Sequence, residues 1–328
     1  MIPVKTLIHH PTTDSEILDL IIQGKITPLE AFALFQELDQ GRYSPRIGGH
    51  KPKEGLSNQE QLAAAMEELD QLIGLDNVKA AIKEIQAFVQ IQQLRREMGL
   101  AAEPVVLHAV FSGNPGTGKT TVARILGRIY RAMGILPQGH LVEVERADLV
   151  GEYIGHTATK TREQIKKAMG GVLFVDEAYS LARGGAKDFG KEAIDTLVKA
   201  MEDYKNEFIL ILAGYRDEME TFLQVNPGLK SRFPLHLKFR DYSERELISI
   251  AEQMFSQRQY HLTPRAKIKL IYLIEEAKRN SQGNFGNART VRNLVEKAIR
   301  RQAVRLVAQQ RPGKEELMSI ETVDITRG

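Results

Sequence analysis

The sequence predicts an α/β domain with a parallel sheet flanked by helices, followed by a small all-helical domain and preceded by a short N-terminal helical hairpin. Short apolar runs alternate with helical patterns from about residue 60 to residue 240. Only helical patterns follow residue 243, and a segment rich in glycine, proline and charge precedes residue 58. These patterns predict domains at residues 1–58, 59–241 and 242–328.

The N-terminal segment has the pattern of two short helices joined by a turn. The first, DSEILDLIIQG, ends at Gly24, and the stretch TPLE then has the form of a capping box. Thr27 is its cap, Pro28 the first helical residue, and Glu30 reaches back to the N–H of the cap. The segment GRYSPRIGGHKPKEGLSN that follows has the composition of a linker.

The central segment contains five runs with the character of buried strands. Near-continuous apolar strands with helices between them indicate a parallel sheet that is covered on both faces. After the sheet, helical patterns cover residues 243–258, 264–280 and 288–310. The predicted strands are residues 105–112, 140–145, 171–176, 207–214 and 235–239.

Composition excludes several classes of chemistry. The 328 residues contain no cysteine, which excludes disulfides, zinc–cysteine sites and thiol catalysis and fits a reducing compartment. No apolar run is long enough for a membrane span, and the N-terminus lacks the pattern of a secretory signal, so we expect a cytoplasmic protein. The net charge of +3 does not by itself indicate a nucleic-acid partner.

The stretch GNPGTGKT directly follows the first strand and precedes a helical pattern, which is the Walker A arrangement of a phosphate-binding loop. The glycines let backbone N–H groups surround phosphates at the N-terminus of the next helix. Lys119 would neutralise the β and γ phosphates of ATP, and the Thr120 hydroxyl would bind Mg²⁺. The alternative is a simple glycine turn between a strand and a helix. The predicted nucleotide contacts are Gly113, Asn114, Pro115, Gly116, Thr117, Gly118, Lys119, Thr120 and Thr121.

The stretch GVLFVDEA supplies two acids at the end of a buried strand. Neighbouring side chains on a strand point in different directions, so the two carboxylates can have different tasks. Asp176 would complete the Mg²⁺ shell, and Glu177 would polarise the water that attacks the phosphate. Alone, the pair could equally be solvated residues at a strand end; the phosphate loop upstream favours catalysis.

Later segments resemble the AAA+ ATPases. The chain has no NKxD motif of the kind that many GTPases carry. LILAGYRDEM places Tyr215 where that superfamily commonly has a polar sensor residue, although Tyr215 could equally be a packing residue. NPGLKSRFP resembles the segment with the arginine finger, which implies that Arg232 reaches the γ-phosphate bound by a neighbouring subunit. The alternative for Arg232 is a surface arginine in a turn.

Two further segments extend this resemblance on the nucleotide side. NFGNARTVRNLVEKA resembles the second sensor, which implies that Arg289 contacts the nucleotide, with Arg292 as the second candidate on nearly the same helical face. LDQLIGLDNVKAAI resembles the segment that frames the adenine, with Ile73, Gly74 and Leu75 nearest the base.

The stretch LVGEYIGHTA holds Tyr153 and Ile154 between Gly151 and Gly155, in the connection that follows the second strand. In AAA+ rings that remodel proteins, this connection projects into the central pore, and an aromatic–aliphatic–glycine triplet grips polypeptide. The resemblance implies this role for Tyr153, Ile154 and Gly155, and a lower position in the pore for Phe189 in ARGGAKDFGKE. The alternative is that Tyr153 packs on a neighbouring helix.

Residues 60 to 310 resemble the branch that contains stage V sporulation protein K and the red-type (CbbX-like) Rubisco activases, and are more similar to the former. The resemblance implies a Mg²⁺-dependent ATPase that forms a homo-oligomer, a hexamer by analogy, and acts on a client protein, with a link to sporulation. The N-terminal hairpin would be a docking element or a stabilising appendage. The rival function is a nucleic-acid motor or clamp-loader-type switch. Against it, the lid shows no basic helix-turn-helix or stacking platform, and Lys and Arg are scattered across the chain.

Overall fold

The computed structural model of the chain describes residues 57–103, 105–153, 155–183, 189–205, 207–281, 283–309 and 312–327, together with residues 17, 20, 25 and 31. The chain divides into two compact units, residues 1–55 and 56–328. In the first unit Ile17 and Ala31 are buried. The remainder of the predicted hairpin, and the predicted linker up to residue 56, lie outside the described residues.

Five short strands form one parallel sheet in the order β2-β3-β4-β1-β5. β4 lies between β1 and β3, so the strand before the phosphate loop and the strand before the two acids each pair with β4 and not with each other. The predicted α/β fold class is confirmed. The strands are β1 Ala109–Ser112, β2 Leu141–Val144, β3 Val172–Val175, β4 Ile209–Gly214 and β5 Leu235–Lys238.

The first strand begins four residues later than the sequence predicts. The apolar pattern starts at residue 105, but strand pairing begins at Ala109. At this point the backbone N–H of Leu210 donates to Nδ1 of His108 at 3.0 Å, so a side chain takes the hydrogen bond that would continue the ladder. A buried donor needs only one acceptor, and the imidazole supplies it.

Helices cover both faces of the sheet. Along β1 and β3 the side chains alternate between two apolar clusters: Phe111 and Phe174 belong to one, and Val110 and Leu173 to the other. This alternation is the period of two expected for strands buried on both sides. The helices in this part are α1 Asn58–Gln71, α2 Asp76–Glu97, α3 Lys119–Ala132, α4 Arg146–Leu149, α5 His156–Ala168, α6 Gly190–Asp203, α7 Arg216–Val225 and α8 Pro227–Arg232.

The segment after β5 is a helical lid that the end of the chain helps to complete. Its helices are α9 Glu244–Ser256, α10 Pro264–Asn280, α11 Asn287–Val307 and α12 Lys314–Met318. A two-residue parallel pair, β6 His261–Leu262 and β7 Ser319–Ile320, corrects the prediction that only helices follow residue 243. A pair this short leaves no periodic signal in the sequence.

Residues 313–327 pack back onto the lid through buried polar contacts. The Gln302 side-chain amide donates to three backbone carbonyls of this segment, the nearest being Leu317 O at 2.9 Å. Arg305 binds Asp324 through two nitrogens at 3.0 and 2.9 Å, and Asp324 is only 1% exposed. Ile320 and Ile325 are fully buried beside them. The end of the chain is therefore part of the lid core.

No helix within the described ranges is both long enough and apolar enough to cross a membrane.

Candidate functional site

The phosphate loop connects β1 to α3 and is fixed at both ends. Gly113 N–H donates to Gly214 O, at the end of β4, at 3.0 Å. Gly118 has φ +96° and immediately precedes Lys119, the first residue of α3. The positive φ at Gly118 turns the chain so that the N-terminus of α3 faces the loop, an arrangement that attracts anions.

Lys119 lies across the loop that precedes it. Its Nζ donates to Gly113 O at 2.8 Å and to Asn114 O at 2.9 Å. Burial lowers the pKa of Lys119, and the nearby Arg289 guanidinium lowers it further, against the opposing effect of Asp176. An anion bound beside this ammonium would restore the stability of its charge.

The loop, the two acids and the lid arginines surround one cavity of about 340 Å³. Its volume is within the range of small-molecule sites. The cavity brings together most of the predicted nucleotide contacts and adds Glu143, which the sequence did not single out. Its lining residues are Gly113, Pro115, Gly116, Gly118, Lys119, Thr120, Thr121, Glu143, Asp176, Glu177, Gly214, Tyr215, Ala288, Arg289 and Arg292.

Asp176 and Glu177 follow β3, two strands away from β1 in the sheet. With about 4.8 Å between neighbouring strands, the acids and the phosphate loop begin roughly 10 Å apart, which leaves room for phosphate groups between them. Asp176 Oδ1 accepts from the Glu177 N–H at 2.9 Å. Glu177 has a left-handed backbone conformation with φ +46°, which turns the chain into the 3-10 helix Ala178–Ala182.

Tyr215 lines the cavity and also packs. It is half-buried before the first residue of α7, and its ring centroid lies 5.9 Å from that of Tyr179. Its position in the cavity lining is compatible with a sensor role, and its contact with Tyr179 is compatible with a packing role.

Asn287 joins the lid to the phosphate loop. The side chain is fully buried: Nδ2 donates to Asp241 Oδ1 at 2.8 Å, and Oδ1 accepts from the Tyr242 N–H at 3.0 Å. One residue later, the Ala288 N–H donates to Gly116 O at 3.1 Å. Gly116 has φ +68°, and a Cβ there would lie 2.3 Å from a lid carbonyl, so this contact requires glycine.

The sequence analysis identified the GNAR stretch but selected only its arginine. Arg289 and Arg292 do line the cavity, on the first turns of α11. The buried asparagine and its partners Asp241 and Tyr242 were missed, because hydrogen bonds between residues 45 positions apart leave no local signal.

The predicted adenine segment does not line the cavity. Ile73 is half-buried against the main core, and Gly74 lies close to Tyr242 and Glu246. The Tyr242 hydroxyl donates to Thr117 O at 3.2 Å. Asn114 and Thr117 also have partners within the chain: Asn114 Nδ2 binds the Asp241 carboxylate at 3.0 Å, and the Thr117 hydroxyl donates to Asn114 O at 2.8 Å.

Arg232 lies outside this cavity, at the end of α8. Its Nη1 donates to Gly228 O at 2.7 Å, and its Nε donates to Glu202 Oε1 at 3.0 Å. It lines a different cavity of about 370 Å³ beside His108. Within one chain, the predicted finger therefore does not contribute to the phosphate site.

The predicted pore residues are also away from the phosphate loop cavity. Tyr153 is 65% exposed, and its ring packs edge-on against His156 with the centroids 5.5 Å apart. Gly155, with φ +83°, immediately precedes the first residue of α5, and the Gly151 N–H is held by the Thr157 hydroxyl at 3.0 Å. Phe189 is half-buried at the start of α6, and Ile154 lies outside the described residues.

Comparison with known proteins agrees with this arrangement. Residues 109–241 match the ATPase family associated with various cellular activities (AAA), and residues 243–327 match the AAA lid domain. Stage V sporulation protein K of Bacillus subtilis (strain 168) is 51% identical over 88% of this chain and 88% of its own length. The chloroplastic ribulose bisphosphate carboxylase/oxygenase activase of Cyanidioschyzon merolae (strain NIES-3377 / 10D) is 44% identical over 82% of this chain and 92% of its own length.

Among solved structures, the FIGL-1 AAA domain in complex with ADP superposes with a TM-score of 0.53. The match covers 83% of this chain and 90% of that chain at 16% sequence identity, so it supports the fold alone. The matched domains and the two relatives lead to one assignment: the chain belongs to the AAA family of ATPases, in the group of stage V sporulation protein K and the Rubisco activases, and is an ATP hydrolase.

Proposed function

We propose that this ATPase remodels a client protein as a ring of copies, six by analogy with its family, and grips the client with the loop that carries Tyr153. The observation that carries the proposal is the placement of Tyr153, which is 65% exposed between two glycines and outside the phosphate cavity. The flat ring of an exposed tyrosine can contact many kinds of side chain, which suits a residue that grips a client.

Protein clients are favoured by the relatives. One of them is named as an activase of ribulose bisphosphate carboxylase/oxygenase, an enzyme, and the other as a sporulation protein. We propose by extension that the client of this chain is a cytoplasmic protein connected with sporulation.

The cavity residues suit ATP with Mg²⁺. Lys119, Arg289 and Arg292 place three cations in the lining of the cavity, and burial lowers the pKa of Lys119, an effect that a bound anion would oppose. The Thr120 hydroxyl and the Asp176 carboxylate are oxygen ligands of the type that Mg²⁺ prefers, and phosphate and water oxygens would fill its other positions. Bound there, the ion would neutralise charge on the phosphates.

Glu177 would then act on water. Its carboxylate lines the cavity beside Asp176 and is exposed, so it can accept a proton from a water molecule that approaches the terminal phosphate. Tyr215, directly after the intervening strand β4, lines the same space, and its hydroxyl would orient that water.

The position of Arg232 supports the proposed ring. Phosphoryl-transfer sites are commonly completed by an arginine that stabilises the transition state. Arg232 is held by Glu202 at a separate cavity, so within one chain it does not reach the phosphate site, and we propose that it serves the site of another copy. Each site would then be complete only at a contact between subunits.

The experiment holds the protein in its ATP-bound state and measures which molecules it captures. Glu177→Gln keeps the shape of the side chain but cannot take a proton, so this variant should bind ATP, assemble and retain a client. Adding Tyr153→Ala should leave assembly and nucleotide binding intact. It should weaken client capture about thirtyfold, as expected when an aromatic anchor worth ~2 kcal/mol is removed.

Tyr153→Phe is the matched control. It keeps the aromatic side chain and removes only the hydroxyl, so this variant should capture the client normally. Light scattering with ATP and Mg²⁺ reports assembly in each case. Capture of DNA or RNA by the trapped ring, together with protein capture that does not depend on Tyr153, would favour the nucleic-acid motor and refute the proposal.

A further inference from the structure

Three consecutive carbonyl groups of the phosphate loop are hydrogen-bonded by the lid and by the residue that leads into it. In a trans peptide the carbonyl and the following N–H point in opposite directions, so each of these bonds turns the next N–H away from its donor. The N–H groups so directed are those of Gly116, Thr117 and Gly118, and successive N–H groups of this kind form an anion site. The three bonds run from Asn287 Nδ2 to Pro115 O at 3.3 Å, from the Ala288 N–H to Gly116 O at 3.1 Å and from the Tyr242 hydroxyl to Thr117 O at 3.2 Å.

The Asp241 carboxylate joins the loop to the lid. It accepts from Asn114 Nδ2, in the loop, at 3.0 Å through each oxygen, and from Asn287 Nδ2, in the lid, at 2.8 Å. Asp241 is exposed and lies between β5 and α9, where the sheet domain ends and the lid begins. One carboxylate therefore ties a side chain of the loop to a side chain of the lid.

The contacts at position 287 require asparagine. Its side chain is fully buried, and its two ends have opposite tasks: Nδ2 donates to Asp241 and Pro115, while Oδ1 accepts from the Tyr242 N–H at 3.0 Å. Aspartate has no donor, and an apolar side chain of the same shape would leave a buried N–H without an acceptor. The backbone has φ +45°, a conformation that asparagine adopts more readily than most residues.

We propose that Asp241 and Asn287 are positioning residues for nucleotide binding: together they hold the phosphate loop, from the lid side, in the shape that presents its N–H groups to phosphate. The proposal rests on the use of this cavity by ATP, as proposed above. Neither side chain is among those that line the cavity, so both act through the loop and do not touch the nucleotide. The pair therefore determines how tightly phosphates are held, and not how fast they react.

Asp241→Ala tests this with an effect whose sign separates positioning from electrostatics. The carboxylate is bound to a loop residue, so its negative charge opposes the binding of phosphate groups. If only this charge mattered, its removal would strengthen nucleotide binding. If Asp241 positions the loop, the Kd for ADP should instead rise about tenfold, the lower end of what a hydrogen bond to a charged group contributes. Titration calorimetry with ADP and Mg²⁺ measures the change.

Turnover supplies a second measurement. In Asp241→Ala the KM for ATP should rise by about the same factor as the Kd for ADP, while kcat at saturating ATP stays within about twofold. If Asp241 acts through Asn114, the double variant Asn114→Ala/Asp241→Ala should bind ADP no more weakly than the weaker of the two single variants. Asn287→Gly fits the left-handed backbone but removes the amide, so it should bind ADP at least as weakly as Asp241→Ala.

Two exposed residues nearby provide matched controls. Glu244→Ala removes a negative charge three residues after Asp241, and Asn293→Ala removes an amide from the exposed side of α11. Neither should weaken ADP binding. Asp241 is itself exposed, so Asp241→Ala should keep the fold even if Asn287→Gly does not, and thermal melting followed by circular dichroism checks each variant.

The outcomes distinguish this inference from the function on which it rests. Wild-type or tighter ADP binding by Asp241→Ala, beside lost binding in Lys119→Ala, would overturn the positioning role alone. A fall in kcat with KM unchanged in Asp241→Ala would also overturn it, because the carboxylate would then act on the reaction. Wild-type ADP binding by Lys119→Ala would overturn the proposed nucleotide site, and the positioning role with it.

Discussion

Acidification should destabilise this fold through His108, at pH values above those at which the carboxylates become protonated. The ring is 8% exposed between Phe208 and Phe233, with centroids 6.0 and 6.2 Å away, and burial lowers its pKa to about 4. Nδ1 accepts the Leu210 N–H, so it must carry no proton in the native state. Protonation of Nδ1 would place two N–H donors face to face at the beginning of β1, between β1 and β4.

The pKa difference sets the size of the effect. The ordinary pKa of 6.5 falls to about 4 in the folded protein, so the unfolded chain binds more protons between these values. The free energy of unfolding therefore decreases as the pH falls through 6.5 and levels off below about 4. Linkage gives a loss of about 2 kcal/mol at pH 5 relative to pH 7, and about 3 kcal/mol in full.

Urea unfolding of the nucleotide-free protein at pH 7 and pH 5 measures this loss. His108→Gln supplies a neutral oxygen that can accept the same N–H and does not titrate, so it should lack the His108 contribution while retaining that of the carboxylates. His236→Gln replaces an exposed histidine on β5 and should behave as the wild type. If wild type and His108→Gln lose the same stability between the two pH values, the reasoning about His108 is wrong.

Two further predictions concern charged side chains. Asp324→Ala should lower the free energy of unfolding in urea by about 3 kcal/mol, because it leaves the Arg305 guanidinium without its buried partner. Arg128→Ala should lower it by less than about 1 kcal/mol, since the ion pair with Glu68 is about half exposed. Equal costs would contradict this. Arg232→Ala should bind ATP normally yet lose turnover, as measured by bound nucleotide and phosphate release; a monomer with full activity would contradict the shared site.

The sequence alone was sufficient to predict those parts of the site that are formed by a contiguous stretch of residues. GNPGTGKT and GVLFVDEA each combine a buried strand with a specialised turn, and the sheet brings both to the same cavity. The order of strands is not local information, because it depends on which apolar faces pack. The insertion of β4 between the two motifs therefore came only from the structure.

The contacts that the sequence did not predict are of two kinds. Some join residues far apart in the chain, and others involve side chains whose neighbours in the sequence give no sign of the contact. The Tyr179 ring leaves no room for a side chain at position 214, but the residues around Gly214 in the sequence do not indicate this contact. His108 lies in an apolar run that continues the strand pattern, yet its ring ends the pairing. Asn287 has φ +45°, a conformation to which asparagine is better suited than most residues, but its partners are far away in the chain.

The packing of residues 313–327 onto the lid has a consequence for synthesis. A chain still on the ribosome has the phosphate loop, both acids and Arg289 outside the tunnel well before Asp324 and Ile325 emerge. Without those residues Arg305 lacks its buried partner, and the amide of Gln302 lacks its carbonyl acceptors. The lid that carries Arg289 is therefore completed only after residues 313–327 have been made.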